Sequence, residues 1–421
     1  MPKGLKERPE SRDPVTAFFF WRPGIAAPLF LAALGCLAGC AAPAGEKAAS
    51  ASAPFCSASG LNVRTDFAAA SLYACEETSA GPVFTIAPEF APINPSPWYA
   101  YRLEREDDSE LSRTFTIRHR YLHGQHRYSP WVKTVGSEWQ AVSTLKQAAL
   151  NNKLEFEFEL EIPREGITVS AQPVLTVEDT YRWSDSLAGQ HDLVHEVLAS
   201  TEDGHNVRIY STRPEKPQGM ILLLGRQHPP EVTGAFAYQD FVDRLFENDG
   251  LARSFRQRFR LVLVPLVNPD GVARGHWRMN RGGTDLNRDW GLFTQPETRA
   301  IAAWLDTAMQ ETKLSLLLDF HSTWNDVIYS QHPSDKPTPS GFNQAWYEAI
   351  KNRLGDETPA WSGQHNLGMP TSKSWARREF GISAITYEAG DRTPRDLIRH
   401  KAEVSAEELM RILLSIEDPN S

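Results

Sequence analysis

Four apolar runs constrain this chain more than any other feature: GMILLLG at 219–225, RLVLVPLV at 260–267, KLSLLLDF at 313–320 and ISAITYEA at 382–389. Each is apolar on both faces, which suits a strand in a sheet covered by helices on both sides. Amphipathic patterns lie between them: GAFAYQDFVDRLFEN, QPETRAIAAWLDTAMQ and PSGFNQAWYEAIKNRL. Strands alternating with helices predict an α/β domain over residues 178–421. In such sheets, sites form beyond the carboxyl ends of the strands. Thr294 and Glu297 predict a capping box at the start of the second helix.

Upstream, from Cys56 to Val177, the pattern is different. In KLEFEFELEIP, Leu154, Phe156, Phe158, Leu160 and Ile162 alternate with four glutamates. A period of two puts one apolar face on a core and one wet face in solvent. PVFTIAPEF, WYAYRLERE and RTFTIRHRYL repeat the theme with aromatic and β-branched residues. The expectation is an antiparallel β-sandwich over residues 56–177. His119, His123 and His126 cluster there without a carboxylate or Cys partner spaced for a metal, and they are expected on the surface or on an edge strand.

The N-terminus reads as a targeting segment. Residues 1–23 carry five Lys/Arg against three acids, and the apolar run GIAAPLFLAALGCLAG ends at Cys40. That is a secretory signal. Leu37-Ala38-Gly39-Cys40 resembles a bacterial lipobox, which implies cleavage after residue 39 and lipidation of Cys40. The small-residue stretch at 40–55 is expected to be a tether. Export to an oxidising compartment and an even count of remaining cysteines favour a disulfide between Cys56 and Cys75. The expected location is the cell envelope, lipid-anchored on the periplasmic side of a Gram-negative outer membrane. Apolar and charged contents of 41% and 23% are ordinary for globular protein. The net charge of −9, with no basic stripe, argues against a nucleic-acid partner.

The strand ends carry the chemistry. GMILLLG runs into His228-Pro229-Pro230-Glu231, KLSLLLDF into His321, and ISAITY into Glu388. RLVLVPLV leads to Asn268-Pro269-Asp270-Gly271 and then HWRMNRGGTDLNRDW. A His-x-x-Glu pair alone is weak. The chain holds a second, His400 and Glu403, in a stretch that reads as a solvated helix. The first stands out because other strand ends add a second His and a second Glu. Two His and one Glu suffice for a catalytic zinc with one position left for water. Pro229 and Pro230 exclude a helix interior and stiffen the turn that presents the pair. Asp319, two residues before His321 on the same strand face, is placed to orient that imidazole.

These residues resemble the zinc carboxypeptidases, the M14 metallopeptidases. The matching motifs are His228-x-x-Glu231, NPDG, Trp277-Arg278, LNRDW at 286–290, DFHS around His321 and TYEAG around Glu388, in the family's order. The likeness is greatest to the cytosolic-carboxypeptidase-like branch, whose members also carry an N-terminal β-domain. The resemblance implies a mixed sheet flanked by helices and one Zn2+ held by His228, Glu231 and His321. The ion lowers the pKa of its water and polarises the scissile carbonyl. Glu388 serves as general base and Arg278 stabilises the oxyanion. Asn287 and Arg288 bind the terminal carboxylate.

One departure stands out. The family's tyrosine that closes over the substrate carboxylate is missing from the corresponding stretch, GQHNLGMPTSKSWARREFG. His365 or another side chain takes that place. If Trp375 aligns with the family's Trp, Lys373 falls at the pocket floor and favours acidic terminal residues. The expected substrate is a peptide or a peptidoglycan-derived fragment. Two other readings stay open: a zinc amidase or deacylase acting on cell-wall peptides or acyl-amino acids, and a binding protein with a vestigial site.

Overall fold

The computed structural model describes residues 55–416, apart from Pro92, Asn94, residues 143–146, 151–153 and 332–335, Gln364 and Leu367. The signal segment and Cys40 therefore lie outside the described residues.

Eleven strands come first: β1 (Cys56–Ala58), β2 (Leu61–Arg64), β3 (Ala74–Thr78), β4 (Gly81–Ile86), β5 (Ala100–Arg105), β6 (Arg113–Tyr121), β7 (Trp131–Lys133), β8 (Gln140–Ala141), β9 (Gln147–Leu150), β10 (Glu155–Ile162) and β11 (Ile167–Ser170). They form two sheets, ordered β1-β2-β5-β11-β7-β8 and β3-β4-β6-β10-β9. A single core joins their inner faces: Leu61, Val63, Tyr101 and Leu103 from one sheet meet Phe84, Ile117, Phe156 and Phe158 from the other. The alternation in β10 does what its period requires. Phe156, Phe158, Leu160 and Ile162 point inward, while Glu155 and Glu157 pair across to Arg120 and Arg118 of β6. The sheets are antiparallel except for β4 and β6, which pair parallel. Cys56 and Cys75 are joined by a disulfide.

The three histidines do not all lie outside. Only His123 is exposed. His119 sits on β6, between β4 and β10, with Nε2 2.7 Å from the Tyr101 hydroxyl. Burial holds it neutral, well below the usual imidazole pKa. His126 stacks on Phe156 at 3.6 Å between ring centres. An imidazole presents a flat, largely apolar ring, so one satisfied nitrogen is enough to admit it to an aromatic core.

The second part contains α1 (Val177–His191), β12 (Val194–Ser200), β13 (Asn206–Ser211), β14 (Gly219–Gly225), α2 (Val232–Phe246), α3 (Gly250–Arg258), β15 (Phe259–Val264) and α4 (Pro269–Arg274). It continues with α5 (Pro296–Ala308), β16 (Leu314–Thr323), β17 (Val327–Tyr329), α6 (Phe342–Leu354), β18 (Ala360–Ser362), α7 (Ser372–Phe380), β19 (Ser383–Gly390) and α8 (Arg395–Ser415). The sheet order is β12-β13-β15-β14-β16-β19-β17-β18. The four two-sided apolar runs become its parallel centre, and antiparallel pairings flank them, giving a mixed sheet. Alternate residues of β14 feed opposite cores. Ile221 and Leu223 pack with α2 and α8. Met220, Leu222 and Leu224 pack with α5 and α7.

The expected capping box on α5 is absent. Gln295 is the N-cap and makes no side-chain cap bond. Asp289 instead accepts from the Thr294 and Gln295 amides, and Glu297 accepts from Asn280 Nδ2.

Candidate active site

β14 ends at Gly225, and Arg226 then takes a left-handed conformation, φ 54°. The reversal swings His228 and Glu231 over the end of the sheet, and Glu231 precedes the first turn of α2. Gly234 makes this possible. A Cβ there would lie 2.3 Å from the backbone oxygen of His321, so only glycine lets α2 approach β16 so closely. The Gly234 amide and Thr233 hydroxyl both donate to Ser322 Oγ, at 2.7 and 2.8 Å.

His228, Glu231 and His321 thereby converge, with one potential ligand atom from each lying within 4.8 Å of the others. All three are buried. They are the one such His/Cys/Asp/Glu group found among the described residues; His400 and Glu403 lie apart on α8. Glu231 places one oxygen 2.8 Å from His228 Nδ1 and the other 2.7 Å from His321 Nδ1. Each imidazole turns its other nitrogen to a carboxylate: His228 Nε2 to Asp285 at 2.9 Å, and His321 Nε2 to Asp319 at 2.9 Å. This is the arrangement in which outer carboxylates fix the orientation and basicity of metal-ligating histidines. Burial alone would raise the Glu231 carboxyl, but His228 and His321 hold it well below the usual range. Burial opposes charge on His321, yet Asp319 and Glu231 hold its pKa well above the ordinary value. The site thus calls for positive charge at the point where the three ligand atoms meet. A divalent cation fits that donor set.

Asp285, which was not singled out from the sequence, does double duty. Its other oxygen accepts from Arg278 Nε at 2.6 Å. Burial would raise its pKa, but His228, Arg278 and Arg288 hold it far below the usual carboxylate range.

Glu388 pairs in register with His321 across β16 and β19. Its Oε2 is shielded from solvent and has no hydrogen-bond partner among the described residues. Burial raises its carboxyl to about 7; the histidines oppose the shift and Glu231 adds to it. It lines a cleft of about 320 Å³ together with His228, Glu231, His321, Arg278 and Arg288. Asn287 also lines the cleft, but its amide is committed to His321 Nε2 and to the Ser372 backbone N–H. Arg288 donates to the Asn287 backbone oxygen and makes no ion pair among the described residues.

Lys373 is buried in α7 and reaches the same cleft, with Nζ donating to the backbone oxygens of Ser330 and His365. Burial lowers its pKa to about 8. His365 stacks on Tyr329 at 4.0 Å, and both line the cleft. Tyr329 lies outside the stretch before Glu388 and enters the cleft from another strand. It arrives on β17, which runs antiparallel to β19 and pairs Tyr329 with Thr386.

A buried two-histidine, one-carboxylate site at the carboxyl ends of a mixed sheet, with a carboxylate facing it, defines a metallohydrolase of the α/β class. The chain belongs to the zinc carboxypeptidase family, M14, whose model matches residues 180–407. It is 33% identical over 201 residues to an uncharacterised protein of Zymomonas mobilis, covering 44% of this chain and 52% of that one. It is 32% identical over 158 residues to cytosolic carboxypeptidase-like protein 5 of Bos taurus, covering 34% of this chain and 17% of that one. The chain thus spans about half, or much less, of the curated relatives it matches. Among solved structures, a metallo-carboxypeptidase from Burkholderia cenocepacia superposes with a TM-score of 0.69 at 18% identity, over 84% of this chain and 98% of that one. One from Pseudomonas aeruginosa superposes with a TM-score of 0.64 at 18% identity, over 84% and 99%. These two likenesses are of fold.

Proposed function

We propose that the protein is a metallocarboxypeptidase that removes the C-terminal residue of peptides, with a preference for acidic residues. The observation that carries the reading is one cleft holding the metal-ligand triad, an unpartnered carboxylate and two cations without ion-pair partners among the described residues. When bound, zinc supplies Lewis-acid polarisation and a water that loses its proton near neutral pH. Glu388 accepts that proton and passes it to the leaving amine. Arg278, held by Asp285, faces the developing oxyanion. Arg288 takes the terminal carboxylate, because its guanidinium has donors to spare. Asn287 holds His321 and the start of α7 in place. Lys373, an ammonium with a free donor in a buried wall, suits a carboxylate side chain. The Tyr329 and His365 pair walls the same end of the cleft.

The test is release of terminal residues from peptides ending in Glu, Lys and Phe, with and without a chelator. Chelator-sensitive release, fastest from Glu, is expected. Faster release of Lys or Phe removes the acidic preference, and cleavage of C-terminally amidated peptides points to amidase or endopeptidase work. Metal-free protein, or equal turnover by wild type and Glu388→Gln, supports a vestigial site. For location, we propose anchorage through a lipidated Cys40. Cys40→Ala is expected to move the protein from the membrane to the soluble fraction, and an unchanged membrane fraction rejects the anchor.

A further inference from the structure

The segment His276-Trp277-Arg278-Met279 runs without helix or strand, and its Arg278 lines the cleft. The amides of Trp277, Arg278 and Met279 therefore lack the partners that regular structure provides. All three, in succession, find one acceptor. Glu89 Oε2 accepts from the Trp277 amide at 2.7 Å, and Glu89 Oε1 accepts from the Arg278 and Met279 amides at 3.0 and 2.7 Å. Glu89 belongs to the β-domain, in the loop between β4 and β5, and is 188 residues from Trp277 in the chain. The same domain swallows Trp277 into its core. Trp277 Nε1 donates to the Trp98 backbone oxygen at 3.1 Å, and a Cβ at Gly124 would come within 2.8 Å of its ring.

We propose that Glu89 is a positioning residue for the reaction, and that through it the β-domain sets the place of Arg278. The inference rests on the reading of Arg278 as the group that meets the oxyanion. That side chain is fixed at its tip by Asp285 and at its root by Glu89. Charge-assisted bonds from three consecutive amides hold the backbone more tightly than neutral ones would. An oxyanion donor works only where it is preorganised, and small displacements at such a site are expensive in rate. Glu89 touches no reacting atom; it acts through the backbone it holds.

The experiment compares wild type, Glu89→Gln, Arg278→Ala and the double variant, each as the full chain loaded with zinc, on one peptide ending in Glu. Glu89→Gln is expected to lower kcat by about 10- to 100-fold with KM within about 2-fold, because the loss is one of transition-state geometry. Zinc content and melting temperature are expected to match wild type. In the Arg278→Ala background the same change is expected to cost less than about 3-fold, since coupled residues are not additive. Equal kcat in wild type and Glu89→Gln, or the same fold loss in both backgrounds, overturns the proposal. If Glu89→Gln fails to fold, Glu89→Asp keeps the charge, withdraws it by one methylene and is read the same way. A second readout needs no turnover. Amide hydrogen exchange at Trp277, Arg278 and Met279 is expected to quicken by about 10-fold or more in Glu89→Gln, and unchanged exchange overturns the proposal. An inactive wild type with quickened exchange in the variant would sink the peptidase reading while leaving the clamp intact.

Discussion

Glu388 and Lys373 face the same cleft from different elements, and their surroundings differ. Glu388→Gln keeps the shape but cannot accept a proton. Its kcat is expected to fall by about 10²- to 10⁴-fold with zinc stoichiometry unchanged, as measured by metal analysis beside the turnover assay. Lys373 has a lowered pKa of about 8. Its positive charge is therefore complete well below that pH and lost above it. For peptides ending in Glu, KM is expected to rise as the pH climbs through 8, while KM for peptides ending in Phe stays level. Lys373→Met is expected to raise KM for the Glu peptide by about 10-fold or more and to flatten that pH dependence. The grouping of His228, Glu231 and His321 was legible from the sequence because all three lie at or just beyond the ends of apolar strands. Asp285 was not, although it lies in a quoted motif. Its role depends on His228, 57 residues away, being folded against it.

At the scale of elements, the contact between α2 and β16 holds Glu231 beside His321. Gly234→Ala would push a methyl group into the His321 backbone. A cost of about 1–3 kcal/mol in thermal or denaturant unfolding is expected, together with weaker zinc retention on dialysis. Asp285→Asn keeps the packing but weakens the partner of His228, and about a 10- to 100-fold loss of zinc affinity is expected in a competition titration. The strands were readable from period and two-sided apolarity. The start of α5 was not: Thr294 and Glu297 fit the capping-box pattern, but Asp289 claimed the amides first. A cap motif states what a helix end can use, and tertiary neighbours decide what it does use.

For the whole molecule, the β-domain and the catalytic part share a core and a site. Trp277 and Val232, the neighbours of Arg278 and Glu231, pack into the β-domain core. Arg127 leaves that domain to pair with Asp391 at 2.7 Å, just beyond β19, and Gln172 Nε2 donates to the Asp391 backbone oxygen at 3.0 Å. Residues 178–421 expressed alone are expected to aggregate or melt without cooperativity, because both side chains would be stripped of cover; gel filtration and thermal melting check this. In the intact chain, Trp277→Ala is expected to cost about 3–5 kcal/mol.

The sequence by itself determined the α/β sheet, the strands of the β-domain and the residues that close the central strands, because period and end position are local properties of the chain. Only the tertiary structure decided that Asp285 holds His228, that Tyr329 joins the cleft, that His119 is buried, and that Glu89 and Arg127 reach across from the β-domain. Those relations join residues dozens to hundreds of positions apart. No local pattern encodes them, since they exist only once packing has brought distant segments together.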